Sequence, residues 1–388
     1  MRKQNELFFT GSRRFTIILG AGMLLSVFLI FMNYKMMEVS KFSVSYSYEQ
    51  AKRLGRGINM GNFLEAPNEG EWGITLKEEY FDIIKKAHFD TIRVPIKWSA
   101  HAALEKPFKI DEAFFERIDW VIANAKKYGL NIVISFNNYN EMYSDPDKNS
   151  ARLTGIWAQI ASRYRLSDLS VYYEILNEPH EALNGDKWNS VLRDTIKAIR
   201  KTDTYHTLIV SGDLWGSAYG LSNLKLPDAE ENLICTFHTY TPMIFTHQGV
   251  TYAEKEHAYI KDIVWPGPPG RKAVLPKELE NNAEIKQWFD GYNSLPLMEN
   301  PGGPSPVLWE LDFAANWSKT NNRPVWLGEF GVTTNADMTS RINWLKFIST
   351  ECKKREITWA YWDFCASCAA YDLKSNQWYE DILDALIY

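Results

Sequence analysis

From about residue 50 the chain alternates short apolar runs with amphipathic stretches. Eight runs have the length and the flanking residues of buried strands: 55–62, 91–96, 131–138, 170–177, 206–212, 233–240, 324–330 and 358–364. Between them, apolar positions recur at helical spacing. Thr75-Leu-Lys-Glu78 has the form of a capping box and predicts a helix to about His88. Asp111 predicts another through Lys127, with Gly129 as its stop. Further helices are expected near 148–164, 186–202, 305–320, 338–354 and 376–387. Eight strands with intervening helices predict an α/β fold of the (β/α)8 TIM-barrel type over residues 48–388. A doubly wound sheet is the alternative, but the glycines of Gly55-Arg-Gly57-Ile-Asn-Met-Gly61 have the wrong spacing for a phosphate loop. The stretch 241–304 shows no period and carries Trp265-Pro-Gly-Pro-Pro-Gly270 and Asn300-Pro-Gly-Gly-Pro304. It is expected to be a long loop over the cleft, with Trp265 in one wall.

The pattern upstream is different. Phe15 to Met32 is an apolar run without a charge, and at about 18 residues it is just long enough to cross a bilayer as one hydrophobic helix. Arg2, Lys3, Arg13 and Arg14 precede it, more densely than Lys35 and Lys41 follow. Residues 1–14 then read as a cytoplasmic basic segment, 15–33 as a signal anchor or the hydrophobic region of a signal peptide, and 34–47 as a linker. Either reading makes the membrane a partner of the N-terminal segment. It places the rest in the cell envelope or outside the cell.

Composition narrows the partner. The net charge is −5 and no basic stripe is visible, which argues against nucleic acid. The 15 Trp, 20 Tyr and 20 Phe supply flat apolar faces of the kind on which sugar rings stack. Among the four cysteines, Cys365-Ala-Ser-Cys368 has the spacing of a redox or metal pair, but no second such pair or histidine cluster accompanies it. No metal and no cofactor are expected, and the protein is expected to be a monomer.

A barrel should place its reactive residues at the C-terminal ends of its strands. The first ends at Asn59-Met-Gly-Asn62 and the second carries Arg93-Val-Pro95. The third ends at Asn137-Asn138, the fourth at Asn177-Glu178-Pro179 and the sixth at His238-Thr-Tyr240. The seventh ends at Glu329-Phe330-Gly331 and the eighth at Trp362. Two carboxylates displayed this way can act as acid/base and nucleophile on a glycosidic bond. Trp215, after the fifth strand, is a candidate sugar platform, and Asn62 is expected to brace Arg93 or the cleft floor.

This ordered set resembles glycoside hydrolase family 5, the family of many cellulases and mannanases. The resemblance covers about 48–388 and rests on Arg93-Val-Pro95, Asn177-Glu178-Pro179, His238-x-Tyr240, Gly328-Glu329-Phe330-Gly331 and Trp362. It implies a retaining barrel enzyme with Glu178 as acid/base and Glu329 as nucleophile. It further implies that Tyr240 and Arg93 hold Glu329, that Asn177 meets the sugar 2-hydroxyl, that His238 tunes Glu178 or touches the sugar, and that Trp362 stacks on the sugar. Most members have histidine where this chain has Asn137-Asn138, and an amide cannot carry a proton charge near neutral pH. Altered subsite contacts or sugar preference are therefore expected there. The implied activity is endo-cleavage of a β-1,4-glucan. A mannan, a β-1,3-glucan, a mixed-linkage glucan or transglycosylation remains open within the same mechanism. From other classes, a carbohydrate-binding pseudoenzyme and a membrane-anchored scaffold for polysaccharide export are the rivals.

Overall fold

A computed structural model describes residues 43–387. The run at 15–32, and with it the anchor or signal peptide, lies outside the described residues. Among those described, no helix is long and apolar enough to cross a membrane.

Eight parallel strands close into a barrel in sequence order. They are β1 Arg56–Asn59, β2 Thr91–Ile96, β3 Asn131–Phe136, β4 Val171–Glu174, β5 Leu208–Ser211, β6 Leu233–His238, β7 Val325–Phe330 and β8 Thr358–Tyr361. Each falls inside a run expected to be a strand. The runs overshoot mainly at their C-terminal ends, where the chain leaves the sheet to build the site. Pairing of Ile58 with Tyr361 closes the ring. One set of alternate strand residues packs outward against the helices, as Ile92, Val94, Ile132, Ile134, Leu208, Val210 and Cys235 do.

The other set fills the barrel in two layers. Val133, Tyr172, Ile209, Ile234, Trp326 and Ala360 form an apolar cluster with Ala51 and Leu54. Two residues further along each strand the character changes: Ser135, Glu174, Ser211, Thr236 and Gly328 follow, and β2 adds Arg93. Since side chains two apart share a face, the period of the strand stacks a polar layer directly on an apolar one.

Ala51 and Leu54 belong to helix Val44–Leu54, which starts within the segment read as a linker and ends where the first strand was expected. The helix closes the barrel floor. Its last carbonyls would otherwise lack partners. Thr91 Oγ1 donates to Leu54 O at 2.6 Å, Asn131 Nδ2 to Arg53 O at 2.8 Å and Thr358 Oγ1 to Ala51 O at 2.8 Å. Gly55 N donates to Lys52 O at 3.1 Å.

Outer helices lie close to their expected bounds: Glu112–Lys127, Pro146–Tyr164, Gly185–Arg200, Ser305–Asn321, Met338–Lys354 and Glu380–Ile387. The capping box is not used. Helix Glu78–Lys86 opens after Lys77 without a side-chain cap. The segment 241–304 is more ordered than its sequence suggested, holding helix Ala283–Ser294 and several short turns. Trp265 is a correction. It is buried against Phe347, ring centroids 5.3 Å apart, and its backbone N–H donates to Ser340 Oγ on helix Met338–Lys354. It anchors the loop to that helix rather than offering a face to the cleft.

Candidate active site

Arg93 rises from β2 into the middle of the polar layer, fully buried. A buried charge must be paired and hydrogen-bonded, and every donor of this guanidinium is directed. Nε and Nη2 grip Glu174 at 2.6 and 2.7 Å, Nη1 donates to Asn59 Oδ1 at 2.8 Å and to Glu329 Oε1 at 2.6 Å, and Nη2 donates to Asn177 Oδ1 at 2.7 Å. Burial opposes the charge, but Glu174 and Glu329 outweigh it and hold Arg93 cationic. Asn59, not Asn62, is the brace at the end of β1.

The second oxygen of Glu329 accepts from Tyr240 Oη at 2.8 Å. Burial first, then the Glu329 charge, raises the Tyr240 phenol well above its ordinary value, so it remains a donor. Glu329 is thus held through both oxygens. Gly328 before it is required. A Cβ there would lie 2.5 Å from Thr236 Oγ1 and 3.1 Å from His238 Nε2.

Glu178 stands where the chain leaves β4, with φ +46°, a left-handed conformation that costs a non-glycine residue about 1–3 kcal/mol. Neighbours hold it there. Asn177 N extends the sheet to Phe136 O at 2.9 Å, Tyr143 Oη donates to Asn177 O at 2.7 Å, and His180 Nδ1 donates to Glu178 O at 2.5 Å. Its carboxylate meets His238 Nδ1 at 2.7 Å. Burial lowers the His238 pKa, yet the adjacent Glu329 and Glu178 charges prevail and raise it. That contact serves both states of Glu178: an Nδ1–H donates to the carboxylate, and a bare Nδ1 accepts from the acid.

Ligand atoms of Glu178, His238 and Glu329 all lie within 4.8 Å of one another. Such a trio could in principle grip a cation. Here Arg93 and Tyr240 already occupy both Glu329 oxygens, and the guanidinium repels a cation. Two carboxylates brought this close agree with the short separation of retaining glycosidases, about 5–5.5 Å, rather than the roughly 6.5–9.5 Å of inverting ones.

The remaining expected residues divide. Asn177 is fixed by Arg93 through its oxygen, which leaves its N–H as a free donor at the cleft. Asn137 is buried, and its oxygen accepts from Ser135 Oγ at 2.6 Å. Asn138 turns away: its Nδ2 donates to Glu65 O at 3.1 Å and its carbonyl accepts from Lys97 Nζ at 2.8 Å. It braces the β1 loop. Trp362 packs over Gly61 and stays partly exposed. Trp215 is 55% exposed and stacked on His180, centroids 4.9 Å apart at 10°. A flat ring beside the acid/base is where a sugar would rest.

Three participants escaped the sequence reading. Glu174 and Ser135 lie inside apolar runs and passed as strand residues. A lone acid in Val171-Tyr-Tyr-Glu-Ile-Leu176 was the available signal. Glu65 gave none; burial pushes its carboxyl up to about 8 and Oε2 has no partner.

A closed (β/α)8 barrel with a clamped glutamate at the end of β7 facing a second, more open one after β4 defines a glycoside hydrolase of the paired-carboxylate kind. The family model described as Cellulase (glycosyl hydrolase family 5) matches residues 55–367. The chain belongs to glycosyl hydrolase family 5. Endoglucanase H of Acetivibrio thermocellus is 31% identical over 316 residues, which cover 81% of this chain and 30% of that protein. Endoglucanase 3 of Fibrobacter succinogenes is 27% identical over 81% of this chain and 50% of its own length. The chain thus spans half or less of these curated relatives. The endoglucanase Cel5A of Thermotoga maritima, solved with cellobiose, is 40% identical with a TM-score of 0.76, covering 88% of this chain and all of that one.

Proposed function

We propose that the protein is a retaining endo-β-1,4-glucanase that works by double displacement. The observation that carries this is the asymmetry of the two glutamates. Glu329 is clamped by a guanidinium and a phenol, as an anionic nucleophile requires. Glu178 faces a histidine and the open cleft, as a residue exchanging protons with a leaving group and then with water requires. Glu178 protonates the departing sugar oxygen while Glu329 attacks the anomeric carbon and forms a glycosyl ester. Glu178 then takes a proton from water, which displaces Glu329. Asn177, oriented by Arg93, offers its N–H to the sugar 2-hydroxyl, and Trp215 and Trp362 supply stacking faces. A glucan is favoured by the likeness to Cel5A in its cellobiose complex; that enzyme has also been solved with mannotriose, so mannan stands second. The run at 15–32 and the basic residues before it support a cleft displayed outside the cytoplasm, on an anchor or after signal cleavage.

The test is hydrolysis of carboxymethyl-cellulose, mixed-linkage glucan, glucomannan, mannan, xylan and laminarin by the protein and by Glu178→Gln and Glu329→Gln. The expected outcome is β-1,4-glucan cleavage that falls by about 10²-fold or more in both variants. Sugar binding without turnover on every polymer would instead select the pseudoenzyme.

A further inference from the structure

We propose that the outer face of helix Ser305–Asn321 is a second glucan-binding surface, separate from the catalytic cleft. A groove of about 370 Å³ runs along this helix. Trp309, Phe313 and Trp317 lie at successive i, i+4 positions, so they share one face. The outer two are about 12 Å apart along the axis, a span that takes two or more pyranose rings. Trp309 is 54% exposed, and its ring centroid is 5.4 Å from that of Phe313. With the half-buried Phe313 and Trp317 it forms a contiguous aromatic strip, the kind of surface that marks an interaction site where a single exposed ring would not.

The lining says what covers it. The groove holds no aliphatic side chain: its non-aromatic members are Asp312, Asn316, Thr320 and Asn321. Asp312 is neutralised by Arg355, at 2.8 Å from Nε and 2.7 Å from Nη2. Asn316 and Thr320 are exposed and free to bond hydroxyls. Aromatic faces with uncharged amides and a hydroxyl fit a neutral polyhydroxylated chain. An ionic ligand would need a free charge there.

Exposed rings also lie between the groove and the cleft. Trp215 flanks Glu178. Tyr219, four residues on and so within about 15 Å of chain, is 54% exposed, with its ring 5.7 Å from Phe313. Exposed rings therefore lead from the catalytic cleft to the groove. The ligand class rests on the glucanase reading; the groove would hold a polymer while the cleft cuts it.

The experiment compares the full chain in detergent with Trp309→Ala and Asn316→Arg, which change exposed side chains outside the core. Retention in native gels containing hydroxyethylcellulose is measured in the Glu329→Gln background, so the polymer survives. Hydrolysis of soluble cellopentaose is measured in the active background. The expected result is apparent affinity for the polymer weakened about 2- to 10-fold in each variant, with cellopentaose turnover unchanged. Equal retention of variants and parent overturns the proposal. So does equal retention with a change of oligomeric mass in Trp309→Ala, which would make the groove a protein contact. If the parent cleaves no glucan, it is the glucanase reading that fails.

Discussion

Replacing Tyr240 with Phe removes one oxygen from the site and leaves the ring in place. That oxygen donates to Glu329 Oε2 at 2.8 Å, while Arg93 holds the other at 2.6 Å. In the first displacement the Glu329 carboxylate surrenders its charge to a new bond. In the second it departs and recovers that charge. A donor aimed at this oxygen therefore assists the second step more than the first. A hydrogen bond to a charged group is worth about 1.5–3 kcal/mol, or about 10- to 150-fold in rate. Tyr240→Phe should slow deglycosylation by that factor and let the glycosyl-enzyme accumulate. Stopped-flow with an activated aryl β-cellobioside would show a burst approaching one phenol per active site, followed by the reduced steady state. A variant with no burst and kcat within about 3-fold of the parent, below the smallest loss such a bond allows, would refute the role given to the hydroxyl.

Arg93→Lys keeps a charge but cannot span Glu174, Asn59, Asn177 and Glu329; urea unfolding should show a loss of about 3–5 kcal/mol, and hydrolysis should collapse with it. Glu65 has its pKa raised by burial from 4.5 to about 8, so the folded protein keeps a proton that the unfolded chain releases. That contribution is present below pH 4.5 and lost as pH rises to 8. Glu65→Gln should therefore gain thermal stability over the parent increasingly from pH 5 to pH 8, and a gain independent of pH would contradict the assignment. Trp215→Ala should raise KM for long oligosaccharides about 2- to 10-fold without lowering the melting temperature, since its ring is mostly in solvent. Leu54→Ala opens a cavity under the barrel and should cost about 2–5 kcal/mol in denaturant unfolding.

The barrel was legible because each strand is a compact apolar run and each helix a periodic one. Glu178 and Glu329 were legible because each closes such a run. Boundaries failed where local signals compete with the tertiary structure. Thr75 and Glu78 spell a cap, but the helix begins two residues later, with Lys77 at the cap position. The residues around Asn137 and Asn177 continue the strand pattern while the backbone is already turning into the site. Glu174 was hidden because a strand wholly inside a barrel carries no polar face to set it apart. Only pairing with Arg93 across the interior reveals it, and that is a relation between strands. Trp265 was misplaced for a related reason: an aromatic in an irregular stretch looks available until its neighbour, Phe347 on a distant helix, is known.

The floor helix bears on where this protein can be cut. The family match begins at residue 55 and ends at 367, and a truncation on those limits looks natural on paper. It would discard Ala51 and Leu54, strip the acceptors from Thr91 and Thr358, remove the shortest of the contacts of Asn131 Nδ2, and leave Tyr172 Oη without Gln50, to which it donates at 2.9 Å. At the other end it would remove helix Glu380–Ile387, whose Ile387 carbonyl accepts from Arg56 at 2.8 Å. The unit that folds is longer than the unit that is recognised, because family likeness tracks the catalytic mouth while the barrel is corked from below. A soluble form should keep Ser43 and run to the last helix.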